Sequence, residues 1–191
     1  NQEQSRNLIQ TDYVLPIGKN TQFEAGYQGN FVKNTTDYSV VRNGIPFPQF
    51  TNTLEYKEKV NALYTQFGTK FNKLSMLYGL RWEDSNIDVN QLATNEFNNK
   101  KYNNFFPSAF FTYELSETSD ASISYSKRIQ RPRGRQLNPF NNLSSNVNIF
   151  IGNPDLNPAY TDAFDLGYLK KWSKITFNTS MYFNITNDSF Q

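Results

Sequence analysis

The segment KRIQRPRGR gathers Lys127, Arg128, Arg131, Arg133 and Arg135 into one short run. Guanidinium groups offer paired N–H donors that match the oxygens of phosphate and carboxylate, so the run fits an anion contact. It fits equally well a set of ion pairs that anchor a loop. A second stretch, DSNIDVN, spaces Asp84, Asn86, Asp88 and Asn90 like the first half of a calcium-binding loop. Val89 stands where such a loop needs glycine, and Asn95 where it needs a bidentate glutamate. A solvated strand end is the better reading. In NGIPFPQF, the apolar side chains of Ile45, Phe47 and Phe50 fall within a connection. They either pack within their own loop or meet a ligand or partner.

Other chemistry is excluded by composition. The 191 residues contain no histidine and no cysteine, which removes the usual base for a serine or cysteine nucleophile and the usual transition-metal ligands. Glu83 and Asp84, and Asp162 and Asp165, are neighbours in sequence with nothing there to place them in a shared cleft, so a glycosidase pair is not arguable. Enzyme activity is not expected, nor is any cofactor or metal. The formal charge is only +2 and the basic residues are scattered, so a nucleic-acid partner is not expected either. No apolar run is long enough for a membrane-spanning helix, and NQEQSRNLIQ at the start lacks the layout of a signal peptide.

The elements that must position these residues show a period of two. In ITFNTSMYFNIT, Ile175, Phe177, Met181, Phe183 and Ile185 oppose Asn178, Ser180 and Asn184. In ASISYSKRIQ, Ala121, Ile123, Tyr125 and Ile129 oppose Ser122, Ser124, Ser126 and Arg128. LSMLYGLRW and QFEAGYQGNF alternate in the same way, residues 8–15 and 60–68 less cleanly. Aromatics make up 16% of the chain although its mean hydropathy is only −0.69, as two-faced strands require. Connections near Pro16, Phe71, Leu115 and Trp172 are short, whereas residues 33–53, 90–101 and 132–159 read as long loops rich in Asn, Pro and Gly. The expected fold is all-β, an antiparallel up-and-down meander of about eight strands, each long enough to cross a bilayer. Trp82 and Trp172 suit the membrane interface, where an indole sits between hydrocarbon and water.

YSKRIQRPRGRQLNPF followed by GNPDLNPAYTDAFDLGYLKKW resembles the outer-membrane β-barrel family abundant in Bacteroidota, which is related to TonB-dependent receptors. EYKEKVNALYTQFGTKFNKLSMLYGLRWE and FFPSAFFTYEL are similar to that family's strands and short turns, so the likeness covers nearly the whole chain. The family motif falls on Gly152, Asn153, Pro154, Leu156 and Pro158, with Ala159 where members usually carry an acid. Two prolines that fix φ and lack an N–H belong outside a hydrogen-bonded ladder, so they aim the chain into the next strand.

The resemblance implies a transmembrane barrel in the outer membrane of a Gram-negative bacterium, importing a scarce nutrient. A plugged member has about 22 strands. With about eight strands and no recognisable plug domain, residues 1–191 read as one part of such a barrel. Outer-membrane lipid would surround it, and the arginine run near one rim would offer a lipopolysaccharide contact. A complete receptor would also engage the TonB system and a surface lipoprotein. Two alternatives compete: a self-contained small barrel, and a soluble extracellular β-sandwich that binds glycan or protein through aromatic loops.

Overall fold

Phe, Tyr, Ile, Leu and Thr at alternate positions favour strands, because aromatic and branched side chains fit a pleated surface. The computed structural model describes residues 1–46, 51–138 and 151–188. β1 (Gln2–Ile17), β2 (Thr21–Tyr38), β5 (Asn52–Phe71), β6 (Leu74–Gln91), β7 (Glu96–Ser116), β8 (Ser119–Gln130), β9 (Ala159–Lys171) and β10 (Thr176–Asn187) form one antiparallel sheet. Its spatial order is the chain order, an up-and-down meander with β1 and β10 at the two edges. No pairing joins those edges among the described residues. Between β2 and β5, the short strands β3 (Val41–Arg42) and β4 (Ile45–Pro46) form a ribbon. Asn43 and Gly44 turn it with φ of 54° and 79°, the left-handed conformation that a two-residue hairpin turn of this type requires. One helical turn, α1 (Gly134–Leu137), follows β8.

One expected loop is absent. The composition of residues 90–101 predicts a long connection, but β6 runs to Gln91 and β7 starts at Glu96, leaving a tight turn at 92–95 with Asn95 at φ 55°. The polar run that suggests a loop is the wet side of a strand: Asn99, Lys101 and Asn103 lie on one face, while Tyr102 and Phe106 lie on the other and are partly or fully buried.

Register shows which side chains share a face. One row crosses all eight strands through Leu15, Phe23, Phe67, Tyr78, Ala109, Tyr125, Phe164 and Phe183. The adjacent row on the opposite face holds Val14, Glu24, Gln66, Gly79, Ser108, Ser126, Ala163 and Asn184. The first face is therefore an apolar band. Along it, Tyr125 and Phe164 lie 5.0 Å apart and Tyr78 meets Phe111 edge-on at 5.5 Å, both favourable ring geometries.

Toward the long-loop end the two faces exchange character. On β5 the apolar residues Leu63, Phe67 and Phe71 lie on the band face, but Val60, Ala62, Tyr56 and Leu54 lie on the other. On β6 the change falls between Trp82 and Ile87. Leu63 pairs with Trp82 and Ala62 with Glu83, so both strands switch at the same level. This explains why residues 60–68 alternate poorly: two phases of one pattern meet there. Beyond the switch, Leu54, Tyr56, Ile87 and Val89 form a buried core with Leu137 of α1, flanked by Tyr38, Tyr102 and Leu156. Leu137 is 1% exposed, and burial of such a side chain stabilises by about 1.5–3 kcal/mol. The segment after β8 thus folds back onto the second face, called here the loop-bearing face.

Arginine at Ile123 or Leu166, register partners in the band, is expected to cost about 2–4 kcal/mol of stability in a bilayer. Asn86→Arg, on the same face beyond the switch, should change stability by less than about 0.5 kcal/mol. Urea unfolding in lipid vesicles measures both; equal costs would overturn the placement of the band.

Candidate functional site

A charged network sits on the loop-bearing face at the level of the switch. Strand alternation places Arg81 and Glu83 on that face while Leu80 and Trp82 occupy the band. Arg81 Nε donates to Glu83 Oε1 at 2.6 Å, and its Nη2 to Gln28 Oε1 at 2.8 Å. The same guanidinium lies 5.7 Å from the Tyr64 ring centroid. Arg131 enters from the opposite side, immediately after β8, ahead of the fully buried Pro132. Its Nη2 donates to Glu83 Oε2 at 2.5 Å and Ser85 Oγ at 2.8 Å, and its Nε lies 3.8 Å from Glu58 Oε1. The Glu83 side chain is only 9% exposed, so one shielded carboxylate is held by a guanidinium from the wall and another from the loop.

The Gly-Asn-Pro motif closes the same loop. Gly152 N donates to Asn138 O and Asn153 N to Gln136 O, both at 2.7 Å. A Cβ on Gly152 would come within 2.5 Å of Gln136 O and 2.6 Å of Asn138 O, both backbone atoms, so only glycine fits this approach. Asn153 Oδ1 accepts from Asp155 N at 2.9 Å and Asn153 O from Leu156 N at 3.3 Å, a turn with Pro154 at its second position. That turn sets Leu156 against the buried core, and Lys100 Nζ donates to Leu156 O at 2.9 Å. Pro158 and Ala159 are buried where the chain enters β9.

Below the network the wall is polar. A cleft of about 350 Å³ is lined by Gln10, Asp12, Gln28, Tyr64, Arg81 and Ser108, among others. Tyr64 donates to Asp12, and Gln10 Nε2 to Asp12 Oδ2 at 2.9 Å. Nearer the short turns, a second cleft of about 490 Å³ runs past Gln22, Glu24, Gln66 and Lys70. These groups leave both hydrogen-bond donors and acceptors on the surface of the wall. Among the described residues no cluster of carboxylates could hold a metal ion.

The basic run is dispersed by the fold. Arg131 turns inward to Glu83, whereas Arg128 stays exposed on the loop-bearing face with Nε 3.1 Å from Ser126 Oγ. Lys127 lies on the band face, 5.9 Å from the Tyr160 ring centroid. Arg133 and Arg135 are exposed at the start and middle of α1. Ile45 is 66% exposed in β4; Phe47 and Phe50 lie outside the described residues. Trp82 and Trp172 mark opposite ends of the band. Trp82 Nε1 donates to Asn103 Oδ1 at 2.5 Å, and Trp172 is 56% exposed in the turn after β9. Asp84, Asn86, Asp88 and Asn90 are strung along β6 at about 7 Å intervals and do not converge. Glu83 and Asp84 point to opposite faces, as do Asp162 and Asp165. Glu58 and Arg81 are not singled out by the sequence, and Glu83 is considered there only beside Asp84; the signal for the network is the opposite charges of Arg81 and Glu83 at i and i+2 on the polar side of an otherwise apolar strand.

A model of the family described as "Outer membrane protein beta-barrel family" matches residues 1–191. No curated protein matches the sequence. Among solved structures, the ferric citrate transporter FecA in its unliganded form superposes with a TM-score of 0.68 at 13% identity, over 95% of this chain and 27% of its own. The ferric yersiniabactin uptake receptor FyuA from Yersinia pestis gives 0.67 at 10%, over 98% and 29%. The copper transporter OprC gives 0.72 at 10%, over 97% and 30%. The chain thus spans less than a third of the length of each of these three structures.

Arg131→Ala leaves the shielded Glu83 with one cation instead of two. It should cost about 2–4 kcal/mol, below the range for a fully buried pair, and should speed protease cleavage within 131–138. Gly152→Ala should cost about 1–3 kcal/mol through overpacking against backbone and give the same cleavage pattern. Chemical unfolding with limited proteolysis reads both; wild-type cleavage rates would show that neither contact holds the loop.

Proposed function

The chain belongs to the outer membrane protein beta-barrel family, and on that footing we propose that it forms an arc of a larger transport barrel of the TonB-dependent kind, importing a nutrient across the outer membrane. The observation that carries this reading is the sheet itself: a band with one apolar and one polar face, and two edges that, among the described residues, are not paired with each other. In hydrocarbon an unpaired backbone N–H or C=O costs several kcal/mol, so β1 and β10 need strand partners on their outer sides. Further strands of the same barrel supply them. The apolar band faces lipid, with Trp82 and Trp172 in the two interfacial regions. The loop-bearing face lines the lumen, and residues 131–138 and 151–158 narrow it from the side of the long loops.

Two of the similar structures are transporters and one is an uptake receptor, which supports transport as the activity. In this reading the polar wall below Arg81 packs against a plug, and the TonB system supplies the energy. A surface lipoprotein would meet the long-loop rim, where Arg133, Arg135 and Ile45 are exposed.

The test is the size of the native protein in purified outer membranes, comparing boiled and unboiled samples by gel mobility. A heat-modifiable species several times heavier than the 22.2 kDa of this chain is expected. A heat-modifiable species near 22.2 kDa would mean a self-contained small barrel and would overturn the arc and, with it, the transport reading.

A further inference from the structure

On the band face, the first charged residue beyond the apolar band is a lysine on four strands. Lys33 follows Phe31 on β2, Lys59 lies beyond Leu63 on β5, Lys101 beyond Phe105 on β7, and Lys127 follows Tyr125 on β8. The lysines stand at the long-loop end, which in such barrels is the extracellular side. Between β1, β2 and β5 a cleft of about 150 Å³ is lined by Ser5, Asn7, Phe31, Lys33, Lys57 and Lys59. Phe31 closes the apolar band on β2, and three ammonium groups stand just above it.

Counter-charges leave part of this collar unfilled. Glu55 lies 4.0 Å from Lys33 and 3.4 Å from Lys57. Asp84 and Asp88 stand on β6 between Lys59 and Lys101, and Asp88 Oδ1 already accepts from Asn99 Nδ2 at 2.5 Å. Asp162, beside Lys127, accepts from Tyr125 Oη at 2.7 Å. Lys59 and Lys101 are exposed and form no ion pair among the described residues. Lysine stems lie along apolar surface while their ammonium groups reach the aqueous boundary, the depth at which lipid phosphates sit.

We propose that this collar binds the phosphate groups of an anionic glycolipid of the outer leaflet, lipopolysaccharide, whose acyl chains lie against the apolar band. The charge is complementary, and the site is continuous with the lipid-facing surface. The inference rests on placement in the outer membrane rather than on transport: a small closed barrel would bind the same lipid.

The test uses the complete native protein in detergent, with the triple variant Lys33→Gln, Lys59→Gln, Lys101→Gln, its Lys→Arg counterpart, and Lys19→Gln with Lys73→Gln at the opposite rim. Bis-phosphorylated lipid A is titrated in and retained lipid is read by native mass spectrometry, on samples whose heat-modifiability confirms folding. Retention should fall at least about tenfold in the glutamine triple and stay near wild type in the arginine and opposite-rim variants. Dephosphorylated lipid A should bind wild type as weakly as lipid A binds the glutamine triple, and inorganic phosphate should not displace the lipid. Equal retention by the glutamine triple overturns the proposal, and so does displacement by inorganic phosphate, which would mark a general anion site. If the triple does not fold, Lys59→Gln alone decides: unchanged retention overturns the proposal, and a several-fold loss supports it.

Discussion

A strand that leaves hydrocarbon and continues into water must keep its backbone ladder unbroken while the solvent on one side changes. That constraint organises this sheet. Within the band, apolar side chains belong on the lipid side and polar ones opposite. Above it, the outer side faces water, and apolar groups are stable only on the inner side, provided something covers them. Val60, Ala62, Ile87 and Val89 are on that inner side, and the segment after β8 is the cover.

The cover is held by two kinds of force acting on different parts of it. Leu137 and Leu156 bury apolar surface against Tyr56, Ile87 and Tyr102, a contribution that ionic screening does not weaken. Arg131 brings directionality: its Nη2 donates to both Glu83 and Ser85 and sets where the chain leaves β8. Glu83 without a cation would be a shielded charge, so Arg81 and Arg131 make the carboxylate tolerable rather than supplying much net stability. Gly152 completes the arrangement because a loop pressed flat on a wall has no room for a side chain where its two limbs meet.

The strand count and the short turns were legible from alternation, since lipid enforces a period of two wherever the chain crosses it. Trp82, Phe177 and Met181 could be assigned to one side on that basis. Residues 90–101 were not legible as strand because above the bilayer the outer face is as polar as a loop, and only Tyr102 and Phe106 carry the opposing phase. The motif from Gly152 to Pro158 announced a rigid entry into β9, but its partners Gln136 and Asn138 are distant in sequence and carry no signature. The Arg131–Glu83 pair joins the end of β8 to the middle of β6, a contact that depends on how the loop folds back over the wall.

The four-residue turn at 92–95 has a mechanical consequence. Residues 83–91 extend β6 about 30 Å past Trp82 along the strand, or roughly 20 Å in height at the tilt of such barrels. β5 and β7 rise beside it in continuous register, so this part of the sheet continues beyond the band as hydrogen-bonded wall rather than as a fringe of loops. In the transport reading, whatever reaches the barrel from outside passes this hydrogen-bonded wall and the exposed Arg133 and Arg135 before it reaches the lumen.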